Sequence, residues 1–430
     1  MSAPAISSNA FNFKSYLNHG VDPRTGQYTL SLTIPALKNN HLAGPDLPLV
    51  ISFSPMNPRD SGFGVGWGMS LSEFSPQTNI LALSTGESFK VTGPGDTIKE
   101  KKLDSFHFET LADDLFRVAH RAGTVELLRS YSMNDQVLAL PEEILGPDGR
   151  SLRLDYEVYK GVRCLERVSD PSGVLMRIVR DTLMSTVEVQ LAPGQGADGR
   201  AVSVFELKLD GYDHVTEVRL PSGDGACWKL AYEDIRGFLC LTDVWTPTGA
   251  HEEVHYGERG DPGHGFPGDE IPPLPRVTSH VVNPGLQQPA IEVRYTYENA
   301  NFLGYGALPS WSNTGEDKLY EVANRAFRYG STAHLWVDGA ARRTVKRAYN
   351  RFHLMTDEET VQGVCRKRMV TTYYADHPDY VDEPFEHQLP QCQMPMRQQT
   401  FWELTNDNNQ QHVETSETRF DEYGNLTEKI

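Results

Sequence analysis

His251-Glu252-Glu253-Val254-His255 is the stretch of this 430-residue chain whose residue types and spacing come nearest to working chemistry. On a helix, His-Glu-x-x-His sets two imidazoles ~5–6 Å apart on one face, where both can hold one zinc beside a general base. On a strand the same side chains stand ~13 Å apart and cannot share an ion. The neighbouring residues decide. Thr246-Pro247-Thr248-Gly249 makes a turn immediately before the stretch, and Tyr256-Gly257 cuts it short. His264 is near in sequence, yet no third ligand stands at the usual spacing. A strand with solvated His251 and His255 is the preferred reading, and a zinc hydrolase using His251, Glu252 and His255 is the lesser alternative.

Other candidates nominate no catalytic, cofactor-binding or metal residue. Arg259-Gly260-Asp261 spells an adhesion tripeptide without a supporting context. His107, His353 and His377 are isolated, and Phe352-His353-Leu354-Met355 reads as a packed strand. Asp113-Asp114 and Glu358-Glu359 read as solvated charge beside turns, not as a carboxyl pair held across a cleft. Gly-x-Ser-x-Gly is absent. Gly62-Phe63-Gly64-Val65-Gly66-Trp67-Gly68 lacks the completion of a phosphate loop. Read as a strand, it puts Phe63, Val65 and Trp67 on one face and four glycines on the other, so that another backbone can approach. Trp228, Trp245 and Trp311 on a β surface could stack on sugar rings, including cell-surface glycans, although large aromatics more often fill cores.

The elements that would carry these residues are strands. Gly149, Gly173, Gly199, Gly223 and Gly249 recur at intervals of 24, 26, 24 and 26, each after a Pro/Asp/Ser/Thr-type turn opening. Alternating runs such as Leu152 to Tyr156 and Val202 to Leu207 follow them. A turn glycine every ~25 residues between such runs marks a repeating β-hairpin array. Tyr28 to Ile34, ended by Pro35, and Leu49 to Ser54, ended by Pro55, read as earlier strands. Ile291 to Tyr297 is a later one, and a hairpin runs from Thr344 to Glu359 and from Cys365 to Tyr374. No apolar period of 3.6 persists beyond two turns. The fold class is all-β: stacked hairpins in a continuous curved sheet, with an amino-terminal β-rich region. The expected divisions are 1–75, an amino-terminal plug or cap; 76–256, hairpin repeats; 257–290, a Gly/Pro-rich surface loop or linker; and 291–430, a second strip.

Composition bounds the function. Hydrophobic residues are 39% of the chain and aromatics 10%, sufficient for a large core. The net charge of −18 argues against nucleic acid and anionic membranes. Five scattered cysteines signal neither a zinc knuckle nor a disulfide framework. The first residues lack a secretory signal, and no run approaches a membrane span.

Phe420-Asp421-Glu422-Tyr423-Gly424-Asn425-Leu426 resembles the YD repeat of RHS proteins, with Phe for the leading Tyr. Asn301 to Gly306 and Asn350 to Met355 are similar to segments preceding the repeats in insecticidal toxin-complex proteins. Val21 to Gly26 and Ser61 to Trp67 resemble the opening of the same group. Between Arg150 and Ala250 the turn pattern persists without the Tyr-Asp pair. The resemblance implies a shell that winds a β-strip around a toxic carboxy-terminal domain. It implies as partners that domain and a translocation or secretion component, and export by a dedicated system without a cleaved signal. The family's self-cleaving motif has no counterpart here. These residues are then expected to be the front and part of the wall of a longer polypeptide, with no turnover and no cofactor of their own.

Overall fold

The computed structural model describes residues 19–37, 44–92, 96–133, 136–221, 225–257, 262–268, 270–337 and 339–430. Ser222-Gly223 and Arg259-Gly260-Asp261 therefore lie outside the described residues. Among those described, strands dominate and no α-helix occurs.

A small antiparallel sheet comes first: His19–Val21, Tyr28–Leu37, Leu47–Phe53 and Trp67–Met69, each paired to the next. The rest is one long strip. From Phe106–Ala112 to Leu426–Lys429, every strand pairs antiparallel with its successor in sequence. Glu73–Ser75, Ile80–Ala82, Ser88–Thr92 and Thr97–Ile98 form a side branch, joined to the strip where Phe74 faces Ala139. No ladder pairs Leu426–Lys429 with Phe106–Ala112 among the described residues, so the curved sheet is open.

Period-two alternation builds the main core. Leu152 and Leu154, Val187 and Val189, and Phe205, Leu207 and Leu209 are buried along Ser151–Tyr159, Thr186–Leu191 and Ser203–Leu209. They meet Leu30, Leu32, Ile34, Ile51, Phe53 and Trp67 of the small sheet. Each such side chain withdrawn from water contributes about 1.5–3 kcal/mol, so the small sheet seals one face of the strip. Trp67 is fully buried, and its Nε1 donates to the Tyr232 hydroxyl at 2.9 Å.

This cover ends beyond Tyr295. The row Tyr295, Ala333, Val345, Thr360, Lys367, Trp402 and His412 continues the core-facing side strand by strand. Tyr295 still packs on the main core, whereas Lys367 and His412 are exposed. On the opposite side, Arg366 bonds Glu359 and Glu403, and Arg368 bonds Asp357. Glu358-Glu359 thus lies mid-strand in Met355–Gln362 with arginine partners, Glu358 pairing with Arg347, and not as free charge beside a turn.

Several expectations need correction. Pro35 does not end its strand; Tyr28–Leu37 continues past it through a register shift between Ile34 and Leu37, an irregularity of the kind that tolerates a missing donor. Residues 62–66 are not extended, because Gly62, Gly64 and Gly66 have φ of +89°, +105° and +81°. The close approach survives in another form: Val65 N–H donates to the Asp213 carbonyl at 2.9 Å, and a Cβ on Gly64 would stand 2.8 Å from that oxygen. The 257–290 stretch is not simply a surface loop. Phe266 and Leu274 are fully buried, His264 and Leu274 form a β-bridge, and Val277–Asn283 is a strand. Burial of these apolar side chains outweighs the Gly/Pro preference for open loops. Thr344 to Glu359 is two strands, Ala340–Asn350 and Met355–Gln362, with a buried turn at Phe352-His353-Leu354 where a single strand was expected.

Candidate functional site

His251–Tyr256 is a strand, paired with Phe238–Trp245 on one side and Val277–Asn283 on the other. His251, Glu253 and His255 face one way; Glu252 and Val254 are buried on the other. The imidazoles cannot converge on one ion from an extended backbone. His251 stacks on Trp245 with ring centroids 4.6 Å apart, and its Nε2 meets Asp243 Oδ1 at 2.9 Å. No group of three or more His, Cys, Asp or Glu side chains placed to hold a metal ion occurs among the described residues.

The consequential residue of the motif is Glu252. Its carboxylate is buried and accepts from the Tyr28 hydroxyl at 2.8 Å and faces His280 Nε2 at 2.9 Å. Tyr28 belongs to the small sheet, Glu252 and His280 to the strip. The cluster therefore fastens one layer to the other. Burial, then the Glu252 charge and bond, push the Tyr28 phenol far above its ordinary range, so Tyr28 stays a donor. In the motif Glu252 has the place of a zinc-side base alone; its position on the same side of the alternation as Val254 is the signal of its burial.

A second cluster has the order of a nucleophile relay. Asp317 Oδ2 meets His353 Nε2 at 2.9 Å, and His353 Nδ1 meets the Tyr329 hydroxyl at 2.9 Å. All three are buried, so the Tyr329 oxygen is closed to a substrate. Next to it, the buried Arg351 guanidinium donates to the carbonyls of Val322, Ala323, Val381 and Glu383 at 2.9–3.2 Å. A third clamp is Arg180, whose Nε donates to the Gly62 carbonyl at 2.8 Å and whose Nη1 donates to Glu157 Oε1 at 2.8 Å and the Leu165 carbonyl at 3.0 Å. These cations and carboxylates satisfy backbone where turns leave it unpaired.

His264 differs. It is buried between Tyr297 and Phe302, edge-on to both rings, and neither ring nitrogen has a hydrogen-bond partner among the described residues. Burial, then the Arg276 charge, push its pKa down to about 3, against a smaller opposing pull from the Thr25 backbone. Of the remaining sequence candidates, His107 is exposed and His377 half-buried, and Asp114 bonds Arg129 at 2.8 Å. Trp228 packs against the main core, and Trp311 lies edge-on to Phe266 at 5.0 Å. Trp245 is the exposed member of the three, at 37%.

No family model matches this chain, and no curated protein matches it. Solved structures do. It is similar to a chain of the Photorhabdus luminescens Tc holotoxin pore carrying a mutated TccC3, at 12% identity and a TM-score of 0.36, over 86% of this chain and 26% of that one. It is also similar to TcdB2-TccC3, at 10% identity and a TM-score of 0.37, over 97% of this chain and 34% of that one. The chain thus spans about a quarter to a third of the length of the solved chains it matches. No described helix is long and apolar enough to cross a membrane.

Proposed function

We propose that this chain is a structural wall segment of an RHS-type toxin shell, which houses or delivers a toxic domain lying outside these residues. The observation that carries the reading is the strip itself. From Phe106–Ala112 to Leu426–Lys429 each strand pairs with the next in sequence, an architecture that extends by adding hairpins. The Phe420 to Leu426 turn supports it: Asp421 Oδ1 accepts from the Tyr423 and Asn425 amides at 3.0 and 2.8 Å, giving the YD-like residues a turn-forming role. The polar clusters bear on the same point, since each joins backbone segments and leaves no exposed reactive group. In this reading the chain performs no turnover, its partners are its own downstream domain and a translocation or secretion component, and it leaves the cell by a dedicated route.

Protease protection tests the proposal. The complete product of the reading frame is digested natively, before and after mild denaturation. A shell holds its downstream domain intact until the wall opens. Digestion of that domain at the same rate in both states refutes the enclosing role.

A further inference from the structure

The strip curves until its late loops and turns meet its early loops, and side chains close the junction. Arg121 Nη1 and Nη2 donate to the Tyr423 carbonyl at 2.7 Å and to Asn425 Oδ1 at 2.8 Å, across 302 and 304 positions of sequence. Lys102 Nζ donates to the carbonyls of Glu386 and Gln388, both at 3.1 Å, and lies 4.9 Å from the Phe385 ring centroid. The Asp317 amide donates to Glu100 Oε1 at 2.8 Å. Leu103 lies so close to Gly424 that a Cβ there would stand 2.8 Å from its Cδ1.

Two physical differences set this junction apart from every other neighbour pair in the strip. Adjacent strands elsewhere share backbone ladders, as Cys365–Tyr373 does with Pro395–Leu404 over nine partner pairs. The junction has no ladder among the described residues. Nor does a common core cross it. Phe74, Phe106, Phe108, Phe116 and Val118 form a cluster on the early side, and Tyr320, Phe352 and Phe385 belong to a separate cluster on the late side. A crevice of ≈ 190 Å³ opens beside the late cluster, lined by Lys99 and Glu100 from the early side and by Glu316, Tyr320, Phe385 and Glu386 from the late side. The crevice leaves Glu100 and Glu386 without an apolar layer between the two sides, so the contact gains little from burial.

We propose that this junction is a seam: the winding opens along it as a unit, while the cores on both sides stay folded. Arg121 and Lys102 are its staples. The Asp421 turn is the early side's counterpart, because it presents the Tyr423 carbonyl and the Asn425 side chain together. Seam opening is a property of these contacts whether or not the strip encloses a cargo.

Hydrogen–deuterium exchange of the intact chain, the single variants Arg121→Ala and Arg121→Lys, and the pair Arg121→Ala with Lys102→Met tests this. Peptides covering 384–392 and 419–426 should exchange faster in Arg121→Ala and in the pair, by about threefold for the loss of solvent-exposed charged hydrogen bonds. Cys227–Ile235 and Phe238–Trp245 should keep their exchange rates, which also reports that the variants are folded. Arg121→Lys should recover part of the protection at 419–426. Unchanged exchange at the seam, equal acceleration in the central strands, or no recovery with lysine overturns the proposal.

Discussion

Lowering the pH should loosen the 262–276 segment through one residue, His264. The imidazole is buried with no described partner on either nitrogen, so the folded state holds it neutral, with a pKa of about 3. When the segment opens, the ring regains the ordinary value of about 6.5. Below that pH the open state binds a proton that the closed state refuses, so stability is present above pH 6.5 and is lost as pH falls towards 3. At pH 5 the linkage amounts to about 2 kcal/mol, or roughly thirtyfold in the opening equilibrium. The His264 and Leu274 amides report it directly, because each donates to the other's carbonyl at 2.9 Å. Their exchange, corrected for intrinsic rate, should lose about thirtyfold of its protection between pH 7.5 and pH 5. His264→Phe keeps a planar ring among Tyr297 and Phe302 and removes the titration, so its protection should be nearly flat over that range. An unchanged pH dependence in His264→Phe refutes the reasoning.

Three further outcomes follow from the same geometry. Glu252→Leu should cost about 2–4 kcal/mol in chemical denaturation by orphaning the Tyr28 hydroxyl and His280, and Glu252→Gln should recover part of that. Gly64→Ala should lose about 1–3 kcal/mol or more, because φ is +105° and the new Cβ meets the Asp213 carbonyl at 2.8 Å; a neutral result in thermal melting would contradict the close approach. Metal analysis of purified chain should find no bound zinc that His251→Ala removes, since His251 and His255 lie along one strand.

How much of this was legible beforehand depends on the range of the interaction concerned. Leu152, Leu154, Phe205 and Leu207 announced their strands and their buried side, because a period of two is written into each short run. Gly149 and Gly249 announced their turns, and both have positive φ. The strand character of His251 to His255 was likewise readable from its flanking turn. At Gly62 to Gly66 local reading went astray: alternation of Phe63, Val65 and Trp67 mimics a strand, yet the backbone is shaped by Asp213 and Arg180, over a hundred positions away. The same holds for residues 262–276, where burial of Phe266 and Leu274 prevailed over their glycines and prolines.

From its own order of residues, this protein had already settled that it is β-rich, where most strands turn, and which side of each is apolar, since those depend on neighbours two to five positions apart. Tertiary structure alone decided that Glu252 reaches Tyr28, that His264 is left without a described partner, and that Arg121 meets Asn425. Such meetings depend on the accumulated twist and curvature of many strands, and no single run of sequence encodes that sum.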